Sequence, residues 1–273
     1  MPVDLLAVGE LMLDVIVPPF QPGHSAHDNV SVRVGGIPVN AALAAARTGA
    51  ATAVVGRVGD DPAAAAIERA LQRAGVDPLL TVDESRPTGT FVQSGESIVA
   101  DRGANAALAP ADLPDVLEAG CVLVSGYALL HTSAAGRAAI ERARSAQIAV
   151  VAPAAALIAR TGTQTFHALA EGATAIVANR EEAHVLTGLE PREAAVELAT
   201  RYRLACVTAG ADGAFAASEG DVLHASATER VDGQMTGAGD AFAGVLVSLL
   251  ARGAQLSVAL STACAEAGRS TGR

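Results

Sequence analysis

Short continuous apolar runs alternate with alanine-rich stretches of helical period along most of the chain. "LLAVGE" from Leu5, "ATAVVGRVG" from Ala51, "CVLVSG" from Cys121, "QIAVVA" from Gln147, "TAIVAN" from Thr174 and "LACVTAG" from Leu204 are apolar runs bounded by Gly or polar residues. That is the pattern of strands buried on both faces. Between them "PVNAALAAARTG", "DPAAAAIERALQRAG", "SAAGRAAIERARSA" and "PREAAVELATRY" predict helices, the first two closing on Gly49 and Gly75 just past their last turns. Such alternation predicts an α/β fold with a mostly parallel central sheet and helices on both faces.

Two stretches break the rhythm. Within residues 11–34 a strand-like "LMLDVIV" runs into the Pro-, Gly- and His-rich "PPFQPGHSAHDN" and then into "VSVRV"; within 88–100, "TGTFVQSGESIVA" predicts a hairpin turning at Ser-Gly. These four short strands are expected to form a small sheet that covers one edge of a single domain, residues 1–273, as a lid.

Composition narrows the function classes. The chain is 51% hydrophobic but only 3% aromatic, without Trp, so its core is built from Ala, Val, Leu and Ile. With 19 basic against 29 acidic residues and no Lys/Arg run, a nucleic-acid partner is not expected. No apolar run approaches the roughly 18 residues of a membrane span, and "MPVDLLAVGE" has no basic region ahead of its apolar stretch, so the expected location is cytoplasmic, without membrane attachment. Cys121, Cys206 and Cys264 are scattered through apolar segments, and the six histidines, His24 and His27 among them, lack metal-ligand spacing. Neither zinc nor cysteine-nucleophile chemistry is supported.

The candidate chemistry lies in two glycine stretches. In "TGAGDAFAGVLVSLL" from Thr236, Gly237 and Gly239 allow a tight turn, Ala238 adds no bulk, and Asp240 falls in the first turn of a long apolar helix. The unpaired N–H groups of a helix start accept an anion, and the dipole there favours an ionised carboxylate. An anion hole beside a fixed base suits phosphoryl transfer, while the alternative reading of Asp240 is a helix cap. A Walker P-loop string is absent, and the dinucleotide fingerprint fails because Phe242 occupies the place of its third glycine. The second stretch, "GGIPVNAALAAARTG" from Gly35, couples a Gly-Gly turn to Asn40 on a new helix.

Together with "GRVGDDPAAAAIERALQRAGVD", "ANREEAHVLTG" and "TAGADGAF" between them, the two stretches resemble the ribokinase (PfkB) family of carbohydrate and nucleoside kinases over almost the whole chain. The resemblance implies a ribokinase-like fold, ATP and Mg²⁺ as cofactors, and phosphorylation of a hydroxyl of a small sugar. It implies that Asp14, Gly35, Gly36 and Asn40 hold substrate hydroxyls. Asn179 would lie near the triphosphate, with Glu182 organising Mg²⁺ through water, and Thr208, Gly210 and Gly213 would line the nucleotide's path. Gly237, Ala238 and Gly239 would form the anion hole, with Asp240 as base. The residues also allow plainer roles: a helix cap for Asn179, a first-turn acid for Glu182, a turn requirement for Gly210 and Gly213.

Departures from the family pattern shape further expectations. Gln234 stands where an acid usually helps hold a monovalent cation, with Asp232 two residues further off, so potassium should matter less than in ribokinases. Ala152 replaces a common Asp before Pro153, and the final "EAGRSTGR" implies an abbreviated adenine pocket. "DRGANAALAP" resembles ribokinase more than sugar-acid kinases or fructokinases. A nucleoside kinase such as pseudouridine kinase, with Phe91 or Phe20 covering a base, is the alternative; a catalytically weak sugar-binding regulator is another. A homodimer formed through the lid is the expected assembly.

Overall fold

The structure, a computed structural model, describes residues 3–19, 29–95, 97–144, 147–227 and 237–270. Thirteen strands appear among them: β1 (Val3–Val8), β2 (Met12–Val17), β3 (Ser31–Gly35), β4 (Thr52–Gly59), β5 (Val76–Asp83), β6 (Gly89–Ser94), β7 (Ser97–Asp101), β8 (Ala119–Ser125), β9 (Gln147–Val151), β10 (Ala175–Asn179), β11 (Leu204–Thr208), β12 (Ala214–Ser218) and β13 (Asp221–Ala225). The helices are α1 (Ile37–Arg47), α2 (Pro62–Arg73), α3 (Gly126–His131), α4 (Ser133–Arg142), α5 (Ala155–Thr161), α6 (Thr163–Leu169), α7 (Arg180–Thr187), α8 (Pro191–Leu198), α9 (Ala238–Ala251) and α10 (Leu256–Ser270).

Nine strands form the main sheet in the order β13-β12-β11-β10-β9-β8-β1-β4-β5, parallel throughout except for the antiparallel β12 and β13 at one edge. Strand β1 shows how both faces are covered. Leu6 and Val8 pack with Phe166 on one side, and Leu5 and Ala7 pack with Phe242 on the other. The long apolar helix α9 lies on that second side, where an added Cβ on Gly244 would run into the backbone of Ala41; the absent side chain lets α9 press against α1.

From β1 the chain goes to β4 and β5 on one side, then returns to β8 on the other. The order therefore reverses between β1 and β8, and a crevice opens at their carboxyl ends, the place where open α/β sheets bind ligands.

The lid is a four-stranded sheet, β3-β2-β6-β7. Two antiparallel hairpins, β2/β3 and β6/β7, are joined by a parallel β2/β6 pairing. The predicted hairpin turn is at Gly95, in the left-handed region at φ 57°. Asp14 is paired with Arg33 on one side and Phe91 on the other, which puts the three on one face; the opposite face carries a row of Val32, Val15, Val92 and Val99.

Candidate active site

The Gly-Gly turn enters α1 through Gly36, whose φ of 96° suits glycine and whose missing Cβ leaves room for the Glu10 carbonyl. One turn into α1, the Asn40 side-chain amide donates to Asp240 Oδ2 at 2.9 Å. Asp240 is the third residue of α9, after Gly237 in the left-handed conformation (φ 88°), with Ala238 and Gly239 between them. Among the described residues no side chain caps α9, which leaves its first amides available to an anion. A Cβ on Gly237 would lie 3.0 Å from Asn40 Nδ2, so the glycine turn and the amide are fitted to each other.

The helix-start position alone predicts a carboxylate held low. Burial outweighs it: Asp240 is pushed above its ordinary value, with the Asn40 hydrogen bond opposing the shift. A cavity of about 870 Å³ opens on one side of Asp240, lined by Asn179, Glu182, Thr208, Gly210, Gly213 and the whole Gly237–Asp240 turn. The sequence-derived nucleotide residues are therefore brought together around one space.

Asn179 and Glu182 form a reciprocal cap at the start of α7. Asn179 Oδ1 accepts from the Glu182 amide at 2.9 Å, Glu182 Oε2 accepts from the Asn179 amide at 2.8 Å, and Asn179 Nδ2 donates to Glu182 Oε1 at 2.8 Å. The capping role is thus present at the cavity wall. Burial, opposed by the Asn179 hydrogen bond and helped by the charges of Asp240 and Glu181, carries the Glu182 carboxyl up to about 8. Gly210 and Gly213, at φ 60° and 85°, shape the turn after β11, where a Cβ on Gly213 would strike the backbone of Ala225.

Asp14, Gly35 and Gly36 do not line that cavity. They lie towards the lid, linked to it through Asn40 and Asp240. Asp14 is 6% exposed, with Arg33 at 3.9 Å as its partner. Burial raises it to about 6, Arg33 opposing and Asp240 adding. Gly35 leaves space for this carboxylate, since a Cβ there would lie 2.6 Å from Asp14 Cγ.

Sequence reasoning missed Glu10. It follows β1, and its Oε2 accepts from Ser125 Oγ at 2.6 Å while Oε1 accepts from the Ile37 amide at 3.3 Å. The pair bridges the β1/β8 crevice and holds the first amide of α1. Burial, with a further push from Asp240, raises Glu10 to about 7. A charged residue two positions past the end of a buried parallel strand is the signal that could have found it.

Four carboxylates, Glu10, Asp14, Glu182 and Asp240, thus interact electrostatically around one point. Among the described residues no group of three or more His, Cys, Asp or Glu could hold a metal unaided. A magnesium ion shared with phosphates needs only one or two carboxylates plus water. Glu182, raised in the cavity wall by burial and by its acidic neighbours, fits that requirement. Gln234, Asp232 and Phe20 lie outside the described residues. No described helix is long and apolar enough to cross a membrane.

The chain is 31% identical to bifunctional protein HldE of Nitrobacter hamburgensis, over 98% of this chain and 60% of that protein. It therefore spans about three fifths of the length of that relative. It is 26% identical to 5-dehydro-2-deoxygluconokinase of Bacillus licheniformis, over 97% of this chain and 88% of the relative. Among solved structures, adenosine kinase from Sinorhizobium meliloti superposes with a TM-score of 0.90 at 21% identity, covering 100% of this chain and 95% of that one. A ribokinase II-type structure from E. coli in complex with ATP and Mg²⁺ gives 0.89 at 18% identity, covering 100% and 94%. These likenesses are of fold: the ribokinase-like α/β architecture with its small β lid. Residues 3–272 match the model of the pfkB family carbohydrate kinases, and the chain belongs to that family.

Proposed function

We propose that this chain, as a single domain covered by its lid, transfers the terminal phosphoryl group of ATP to a hydroxyl of a small sugar, with Asp240 as the base. The observation that carries the reading is the position of Asp240: on the wall of the large cavity, beside the open amides of α9, and bonded through Asn40 to the turn beneath the lid. The sugar hydroxyl gives its proton to Asp240 as its oxygen forms the new bond to phosphorus and the bond to the ADP oxygen breaks. The Gly237–Asp240 amides hold the charge on the phosphoryl oxygens.

Asp14 accepts hydroxyls of the sugar from the lid side, with Gly35, Gly36 and Asn40 shaping the place where they bind. Asn179, Thr208, Gly210 and Gly213 line the donor's cavity. Glu182 would hold Mg²⁺ through water, and the bound ion would supply charge neutralisation for the phosphoryl transfer.

Asp240→Asn keeps the shape and loses the base, so kcat should fall by about 10²–10⁴-fold while nucleotide affinity stays nearly intact. Retention of more than about a tenth of the wild-type kcat in a coupled ATP assay would sink the general-base role.

A nucleoside acceptor is the second reading, favoured by Phe91 sharing the lid face of Asp14. A panel of pentoses, hexoses, sugar acids and nucleosides decides between the two. Titration without nucleotide, followed by turnover with ATP, separates a binder from an enzyme. The outer valine row of the lid, with Val32 at 59% and Val99 at 72% exposure, supports a second copy of this chain as its cover.

A further inference from the structure

The cavity assigned to the donor carries the same sign of charge as the donor. The chain has a net charge of −10, and its 19 cationic residues are all arginine, so no lysine can reach into any site. Glu181, Glu182 and Asp240 line the cavity, and Arg180 is the only cationic side chain among the described residues that do. A donor nucleotide brings several more negative charges into this space, and like charges held together are costly. The open amides of α9 serve the phosphoryl group that is transferred, and Glu182 serves a metal ion. The phosphates between them still need a cation of the protein's own.

Arg180 opens α7, directly after Asn179 and within the same turn as Glu182. Its guanidinium reaches across to the turn that follows β11. There Nη2 donates to the Asp212 carboxylate at 2.6 Å and to the Ala209 carbonyl at 3.4 Å, while Nη1 donates to Glu190 at 3.4 Å. Arg180, Asp212 and Glu190 are all exposed, and solvated ion pairs of this kind hold weakly. The turn itself has other ties. The Ala209 amide donates to the Gly213 carbonyl at 2.7 Å, and His224 Nε2 donates to the Asp212 carbonyl at 2.7 Å with its ring stacked on Phe215. The guanidinium can therefore leave the turn without unmaking it.

A carboxylate offers the guanidinium one charge, whereas a di- or triphosphate offers several, on oxygens that suit the same two-pronged hydrogen bonding. Exchanging Asp212 for phosphate gains charge complementarity and offsets the repulsion that Glu181, Glu182 and Asp240 exert on the donor.

We propose that Arg180 is the cation of the donor site, exchanging Asp212 and Glu190 for the donor's phosphates beyond the α one as nucleotide binds. This rests on the ATP-donor reading of the cavity and adds to it a residue that changes partners. Because Arg180 and Glu182 share one turn of α7, the phosphates meant are those that a metal held by Glu182 would neutralise.

The test is calorimetric titration of the full chain with ATP, ADP and AMP in the presence of Mg²⁺. Arg180→Gln should raise the Kd of ATP and of ADP by about tenfold or more, the scale of a charged hydrogen-bonded pair, and leave that of AMP within about twofold. Arg180→Lys, with the charge but not the fork, should recover part of the loss. Asp212→Asn releases the arginine from its competitor, so ATP should bind about two- to fivefold more tightly, and the gain should vanish once Arg180→Gln is added. Equal weakening of all three nucleotides in Arg180→Gln would mean that the arginine only shapes the wall, and a gain from Asp212→Asn that persists without it would mean plain repulsion by the acid. Either result overturns the proposal. If the wild type binds ATP and phosphorylates a sugar while Arg180→Gln binds ATP and ADP as tightly, Arg180 alone is removed. A wild-type chain that binds none of the three nucleotides removes the donor reading, and the proposal with it.

Discussion

Asn40 does two things with one side chain: it belongs to the turn under the lid, and its amide steadies the charge on Asp240. A base works only when ionised, so activity is lost as pH falls through its pKa. In Asn40→Ala the hydrogen bond that lowers Asp240 is gone and burial acts unopposed. The acid limb of kcat/KM should therefore move to higher pH, as a pH–rate profile would register; a limb that stays put would mean that another group governs it. Asp14 offers a complementary measurement. Each substrate hydroxyl it accepts is worth roughly 1.5–3 kcal/mol as a hydrogen bond to a charged group. Asp14→Ala should thus lower kcat/KM for the sugar by about tenfold or more, with the KM for ATP within about threefold. Sugar analogues lacking the contacted hydroxyl should discriminate poorly against the mutant, and unchanged kinetics would remove Asp14 from the substrate site.

The lid joins two hairpins through a parallel pairing of β2 with β6, and one sheet carries two different faces. Asp14, Arg33 and Phe91 turn one way and the valine row the other. If a second copy covers that row, Val99→Lys should shift the chain from dimer to monomer in sedimentation velocity, while a wild type that runs as a monomer would rule the interface out. The strands of the main sheet were legible because a strand buried on both faces leaves an unbroken apolar run. Strand β5 was not: "VDPLLTVD" alternates in burial and carries Pro78, a residue tolerated at the sheet edge it occupies. Strand β12, "AFAAS", reads locally as helix former and is a strand because β11 and β13 pair with it on both sides. The glycine stretches of the site were legible because backbone that must turn tightly or approach closely admits few residue types. Glu10 was not, since its meaning comes from Ser125, a neighbour only after the sheet has ordered β1 beside β8.

Taken together, the carboxylates of the crevice set how the whole protein responds to pH. Glu182 near 8, Glu10 near 7 and Asp14 near 6 all lie above their ordinary values of 4.5, 4.5 and 3.8, each chiefly through burial. A carboxyl raised on folding binds its proton more tightly in the native state, so its contribution to stability is full below the unfolded value and is lost as pH rises through the folded one. Without ligands, the melting temperature should fall as pH rises between about 6.5 and 8; below that window His167, held down to about 4 by burial, contributes with the opposite sign and offsets the carboxyls. A Tm that climbs across that window would contradict the burial assigned to these groups. The bond between Asn40 and Asp240 spans 200 positions of the chain, and it ties the protein's chemistry to its own synthesis. At roughly 5–20 residues per second on the ribosome, Asn40 waits about 10–40 s for its partner to be made. In that interval the turn beneath the lid can form, but no base stands beside it. A chain cut short before α9 lacks Asp240 and also Phe242, which covers one face of β1, so the site and the core that carries it are completed together by the last helices to be made.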